Sequence, residues 1–177
     1  MTTFIDGRRA AGEAEHRRYE SVNQTVPRLL VDADACPVRD EILRVAGRLG
    51  FETIFISNGS RPMRPPGGNT RIVVVSEGAD MADDWIADQA TPTDICLTND
   101  IPLAARCLEK KAFCLSFKGH PWTENNIGSA LAGRELSRHL REMGAMGGPP
   151  PMAQADRSRF LNALDAMAQA ALRRARG

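Results

Sequence analysis

An α/β fold built on a mainly parallel sheet of about five strands, with helical structure following it at the C-terminus, is what this sequence predicts. Three observations carry that expectation. Short apolar runs rich in β-formers alternate with segments of helical period, as βαβ units require. The run RIVVV (Arg71 to Val75) is apolar enough to be buried on both faces of a parallel sheet. The segments that follow several of these strands open with aspartates, in the crevice where open parallel sheets do their chemistry.

Length and composition set the bounds. At 177 residues, 42% hydrophobic and 5% aromatic, the chain is expected to form one domain with appendages, large enough for a real core. No apolar run approaches the roughly 18 residues that span a bilayer. The first 28 residues mix Arg8, Arg9, Arg17 and Arg18 with acids and hold no apolar signal segment, so a cytoplasmic protein with no membrane partner is expected. The net charge of +1 suggests no strong polyanion binding by itself. Its distribution is uneven: residues 28–133 hold 11 Lys and Arg against 14 Asp and Glu, and residues 134–177 hold 8 against 4.

The expected domains are a flexible N-terminal extension over 1–28, an α/β domain over 29–143, and a Pro/Gly linker with a docked C-terminal helix over 144–177. A weak amphipathic helix near Ala10 to Tyr19 could interrupt the extension. Leu29 to Val31 reads as strand one, and Pro37 to Leu49 as a helix ended by Gly50, with Val38, Ile42, Val45, Ala46 and Leu49 at helical spacing. Phe51 to Ile56 is strand two. Ser57 to Thr70 is a loop rich in Gly, Pro and Arg, too long for a simple turn. Strand three, Arg71 to Val75, leads to the acidic helix SEGADMADDWIADQA; strand four is Asp94 to Thr98. A helix from Asn99-Asp100 to Lys110 or Lys111 carries Pro102 in its first turn. Strand five is Ala112 to Phe117, Thr123 is a candidate cap for a helix over Glu124 to Arg141, and Phe160, Leu161, Leu164, Met167, Ala168 and Leu172 form the stripe of a last helix over 155–174.

Within LLVDADACPVRD, Asp32 and Asp34 would point the same way, about 7 Å apart, if the strand continued. Each also has a plainer role as a helix N-cap, most naturally Asp34. Asp80, Asp83 and Asp84 fall one helical turn apart, where a cap and the helix dipole account for one or two acids better than for three. Asp100 stands again at a strand-to-helix junction. Together these oxygens suit Mg²⁺ or Mn²⁺ better than zinc, and a divalent ion would relieve their repulsion. Such sites serve phosphate-ester chemistry. Cys36, Cys96, Cys107 and Cys114 form no C-x-x-C pair, so their spacing gives neither a zinc site nor a disulfide framework; Cys96 and Cys114 read as buried thiols, and no neighbouring His or Lys activates Cys36. His16, His120 and His139 are scattered, and His120 reads as solvated.

VDADACPV, ADDWIAD and TNDIPLA, followed by GGPPP and DRSRF, resemble the YaiI/YqxD family, a bacterial family with a PIN-like domain. The resemblance runs from about Leu29 to the last helix. It implies a three-layer α/β/α sandwich and, by likeness to PIN nucleases, carboxylates that bind Mg²⁺ or Mn²⁺ and cut RNA. Asp32 matches the acid ending strand one, Asp83 or Asp84 the acid on the middle helix, and Asp100 with Thr98 the T-x-D motif; Asp34 belongs to this family's own motif. Pro102 stands where many PIN nucleases carry another acid, and Asn99 where close relatives carry Ala.

Three functions follow as expectations. In the first, a metal-dependent nuclease-like protein acts on RNA: Asp32, Asp34, Asp84 and Asp100 with Thr98 do the chemistry, Asp83 joins the ligands, and Arg61, Arg64, Arg71, Lys118, Arg157 and Arg159 meet phosphates. In the second, a phosphatase of the haloacid dehalogenase type uses Asp32 as nucleophile and FISNGS as its second motif, although the interval from Ser57 to the later acids offers arginines and no lysine. In the third, a non-catalytic module binds RNA or protein.

Overall fold

The computed structural model describes residues 2–4 (backbone only), 26–76, 78, 80–145, 147, 148 and 150–177. Twelve elements follow one another: β1 (Thr2–Phe4), β2 (Arg28–Asp32), α1 (Arg39–Leu49), β3 (Glu52–Ser57), β4 (Thr70–Val74), α2 (Met81–Gln89), β5 (Ile95–Leu97), α3 (Ile101–Glu109), β6 (Phe113–Leu115), β7 (Pro121–Trp122), α4 (Ile127–Glu142) and α5 (Gln154–Ala175). The strands make one sheet in the order β1-β4-β3-β2-β5-β6-β7. All neighbours are parallel except β6 and β7.

The architecture is the expected α/β/α sandwich, with two strands added at its rims. Thr2–Phe4 pairs with Ile72–Val74 inside the segment expected to be flexible, so organised backbone begins ahead of Arg28. Residues 5–25, including the helix suggested near Ala10 to Tyr19, lie outside the described residues. Pro121–Trp122 turns back along β6 through an antiparallel pair.

Alternation along the strands builds two cores. Leu29, Val31, Phe55, Ile72, Ile95 and Leu97 face α1 and α5, which contribute Val38, Ile42 and Val45, and Phe160, Leu164 and Ala168. Leu30, Ile54, Ile56, Val73, Cys96 and Cys114 face α2 and α3, which contribute Ala82, Ile86 and Ala87, and Leu103, Ala104 and Cys107. Burial on both sides explains why β2, β3 and β5 read as unbroken apolar runs. Gly50 ends α1 in the left-handed conformation, at φ 73°.

Chain order fixes where a ligand can reach. From β2 the chain steps through β3 to β4, then crosses back through α2 to place β5 on the other side of β2. The strand order therefore reverses between β2 and β5. A crevice opens at such a switch point, outside the carboxyl ends of the strands.

The helix expected from Glu124 begins at Ile127. Asn126, not Thr123, holds its N-cap position, and its side chain accepts the Thr123 N–H at 2.9 Å. No helix among the described residues is long and apolar enough to cross a membrane.

Candidate functional site

β2 ends at Asp32 and β5 at Leu97, so Asp32, Thr98 and Asp100 meet at the switch point. The Thr98 hydroxyl donates to Asp32 Oδ2 at 2.9 Å and accepts the Asp100 N–H at 2.9 Å. Asp100 caps α3, its Oδ1 accepting the Leu103 N–H at 2.9 Å. Capping and participation in the site are compatible here, because among the described residues the cap uses Oδ1 alone. Asn99 faces the other way, with its Oδ1 accepting the Phe117 N–H at 2.8 Å and pinning the end of β6.

Asp34 departs from both sequence readings. The chain turns after Ala33, with the Cys36 N–H donating to the Ala33 carbonyl at 3.4 Å, so strand alternation does not extend to Asp34. The cap position of α1 is Val38, with no side-chain cap. Asp34 instead accepts the Ser57 hydroxyl on Oδ1 at 2.7 Å and the Asn58 N–H on Oδ2 at 3.0 Å, fastening the end of β3 to the turn after β2. Both its oxygens are engaged, while its charge still acts on Asp32.

On α2 the structure separates two adjacent acids. Ala82, Ile86 and Ala87 are buried, which turns Asp83 toward the crevice and Asp84 outward. Asp84 pairs with Arg106 of α3 at 2.8 Å, both half-exposed, and so stands outside the acid group expected to include it. Asp80 occupies the cap position of α2 without a side-chain cap bond.

The electrostatics identify the members of the cluster. Asp83 is pushed up to about 6, first by desolvation and then by Asp100, Asp32 and Asp80, with Arg106 opposing. Asp32 is also raised, mainly by desolvation, with Asp34 and Asp100 adding to it and the Thr98 hydrogen bond opposing. Asp32, Asp83 and Asp100 thus share one field at the switch point, with Asp34 and Asp80 at its margins.

As metal ligands these groups offer hard oxygens. Among the described residues, Asp32 Oδ1, Asp100 Oδ2 and the Asp83 carboxylate accept no hydrogen bond. They do not form a closed cage: among the described residues, the three potential ligands whose donor atoms all lie within 4.8 Å of one another are Cys96, Cys107 and Cys114, not the acids. Such an open set fits Mg²⁺ or Mn²⁺, ions that keep several waters and take only one or two carboxylates directly.

The expected phosphate contacts divide. Arg71 sits at the start of β4, at the sheet end opposite the acids, and pairs with Glu52 at 2.9 Å. Arg157 donates to the Pro37 carbonyl at 2.8 Å and to Glu41 at 3.1 Å. Arg159 donates to the Lys118 carbonyl at 3.2 Å and to Asp156 at 3.0 Å. Lys118 reaches Asp156 at 3.9 Å. These last three tie α5 to the domain instead of facing the acids. Arg64 is exposed, and its carbonyl accepts from Arg39 at 2.9 Å. Arg61 lines an open concavity of about 440 Å³ with Asp34, Cys36, Arg39 and Met63. Arg39, which sequence reasoning did not single out, opens α1, and its guanidinium also lies 4.9 Å from the centre of the Phe55 ring. Burial pushes the Cys36 thiol up to about 12, against a reactive role. His120 is exposed.

Residues 30–170 match the family model described as "Uncharacterized BCR, YaiI/YqxD family". The chain is similar to a UPF0178 protein of Paramagnetospirillum magneticum, 52% identical over 147 residues that make up 82% of this chain and 97% of the relative. A UPF0178 protein of Parvibaculum lavamentivorans is 52% identical over 148 residues, 82% of this chain and 96% of the relative. One from Caulobacter vibrioides is 46% identical over 151 residues, 85% and 98% of the two chains. No solved structure matches.

Proposed function

The chain belongs to the YaiI/YqxD family, and from that premise we propose a PIN-like hydrolase that uses a divalent ion to cut RNA phosphodiesters in the cytoplasm. One observation carries this reading: Asp32, Asp83 and Asp100, from three different elements, share a field at the switch point of a parallel sheet, where, among the described residues, the cation set against their repulsion is the outlying Arg106.

Mg²⁺ or Mn²⁺, when bound, would lower the pKa of a water and offset charge on the phosphate. The protein's part is positioning. Thr98 aims Asp32 and, through the Asp100 backbone, sets the start of α3. Asp100 Oδ2 and Asp32 Oδ1 are the oxygens left for the ion, and Asp83 approaches from α2. Asp34 acts as a brace between β2 and β3 with both oxygens spent. Arg39 and Arg61, beside Asp34 in the concavity, supply positive charge for a neighbouring phosphate.

The test is cleavage of single-stranded RNA by the purified chain with Mn²⁺ and with chelator. Cleavage by the native chain that depends on Mn²⁺, is lost in Asp32→Asn and Asp100→Asn, and survives in Asp84→Asn supports the proposal. Metal-independent cleavage, or undiminished cleavage by both site variants, overturns it. A phosphoenzyme trapped on Asp32 would instead select the phosphatase chemistry.

A further inference from the structure

Away from the acids, three sulfurs converge inside the second core. Cys96 and Cys114 are register partners on the adjacent strands β5 and β6, and Cys107 lies on α3, which covers them. All three are fully buried, and their sulfurs lie within 4.8 Å of one another. Spacing in the sequence gave no hint of this, because the ligands come from three elements and no two form a C-x-x-C pair.

We propose that Cys96, Cys107 and Cys114 form a binding site for one monovalent thiophilic metal ion, of which Cu(I) is the representative. Three physical arguments lead to this class. Soft sulfur ligands select d¹⁰ thiophilic ions over Mg²⁺ or Ca²⁺. At the roughly 2.3 Å metal–sulfur distance of zinc thiolates, three sulfurs around one ion stand about 4 Å apart, and the three present here already lie within 4.8 Å of one another. Structural zinc almost always takes four ligands, and among the described residues no fourth His, Cys, Asp or Glu joins the trio.

Charge selects within that class. The surrounding side chains include Leu30, Ile86, Leu103 and Ala104, so a net charge would be costly. One Cu(I) and three thiols, with a single proton released, give a neutral centre of one thiolate and two thiols with no change of oxidation state. Cys114 lies 3.6 Å from the Ala104 carbonyl, which fixes its sulfur on the α3 side.

The alternative is that three small side chains merely fill the core. Competition between the full-length chain and a chromophoric Cu(I) chelator, under anaerobic reducing conditions, separates the two. The expected result is one equivalent retained, with affinity lower by at least about 100-fold in Cys107→Ala and in Cys96→Ala, at or beyond the upper end of what loss of a supporting residue costs, and unchanged in Cys36→Ala. Refolding in the presence of Cu(I) serves as a parallel arm, because the buried site opens only when α3 moves. X-ray absorption of the loaded native chain, expected to show three sulfur neighbours and no nitrogen or oxygen, keeps the test valid if a variant fails to fold. No retention in either arm, retention that survives Cys107→Ala, or a first shell containing nitrogen or oxygen would mean packing alone and overturn the site.

Discussion

The Thr98 hydroxyl donates to Asp32 Oδ2 at 2.9 Å, joining the ends of two strands that lie 66 positions apart in the chain. That bond is the main influence opposing the upward shift of Asp32, and the Thr98 hydroxyl oxygen in turn accepts the Asp100 N–H. Thr98→Val keeps the shape and removes both bonds. The expected outcome is a loss of about 10- to 100-fold in metal affinity or activity, the usual range for a residue that orients a ligand, with about 1 kcal/mol of stability lost. The acid limb of the pH–rate profile should move upward, because Asp32 loses its opposing hydrogen bond. An unmoved limb would show that Thr98 does not position Asp32.

Asp83 yields a prediction about stability and pH. Its pKa in the fold, about 6, lies above the ordinary 3.8, so the folded state favours the protonated form. Its contribution to stability is therefore fully present below about pH 4 and lost as pH rises through 6. Asp83→Asn should stabilise the chain at pH 7.5 by no more than about 1 kcal/mol, since the half-exposed group is screened by water, and should do nothing at pH 4. Thermal melts at the two pH values check this. Mn²⁺ should raise the melting temperature of the native chain at pH 7.5 and raise that of the variant less.

The order of strands and helices was legible because apolar runs and helical spacing are local properties. β1 and β7 were not, since strands of three and two residues owe their existence to a neighbour's free edge. The acids of the switch point could be found as a group, but choosing Asp83 over Asp84 required knowing which side of α2 meets the sheet. The pattern Ala82, Ile86 and Ala87 held that information, though Trp85 beside it blurs the apolar stripe. Arg157 and Arg159 misled for a different reason. Each donates to a backbone carbonyl, of Pro37 and of Lys118, as well as to a carboxylate, and a backbone acceptor leaves no trace in the sequence.

At the sheet end opposite the acids, Asp94 is buried and accepts from Arg28 Nε at 3.0 Å, from Arg28 Nη2 at 2.7 Å, and from the N–H and hydroxyl of Thr91. Asp94→Ala takes both carboxylate bonds from the Arg28 guanidinium, which keeps only its bond to the Gln89 carbonyl among the described residues, and leaves three further donors, the Arg28 N–H and the N–H and hydroxyl of Thr91, without this acceptor. A loss of about 3 to 5 kcal/mol is expected, as for other half-broken buried ion pairs, read as a lower denaturant midpoint. Any RNA cleavage per folded molecule should stay at the native level, because the acid centre lies at the far end of β2. A selective loss of activity in this variant would mean that the two ends of the sheet are coupled.

Gly119 governs how the last helix docks. It follows β6 at φ 82°, and a Cβ there would stand 2.6 Å from the backbone of Arg159 and Phe160 on α5. Backbone cannot yield as a flexible side chain can, and positive φ adds strain for any residue but glycine. Gly119→Ala must therefore either push α5 off the sheet or distort the turn closed by the Gly119 N–H and the Ser116 carbonyl. The former would uncover Phe160 and Leu164, both fully buried against the first core. A destabilisation of about 2 to 4 kcal/mol is expected, in the range of severe steric and cavity effects. Limited proteolysis should then cut between α4 and α5 in the variant well before the native chain is cut. Equal resistance in the two chains would mean that the turn, not the helix, absorbs the added methyl group.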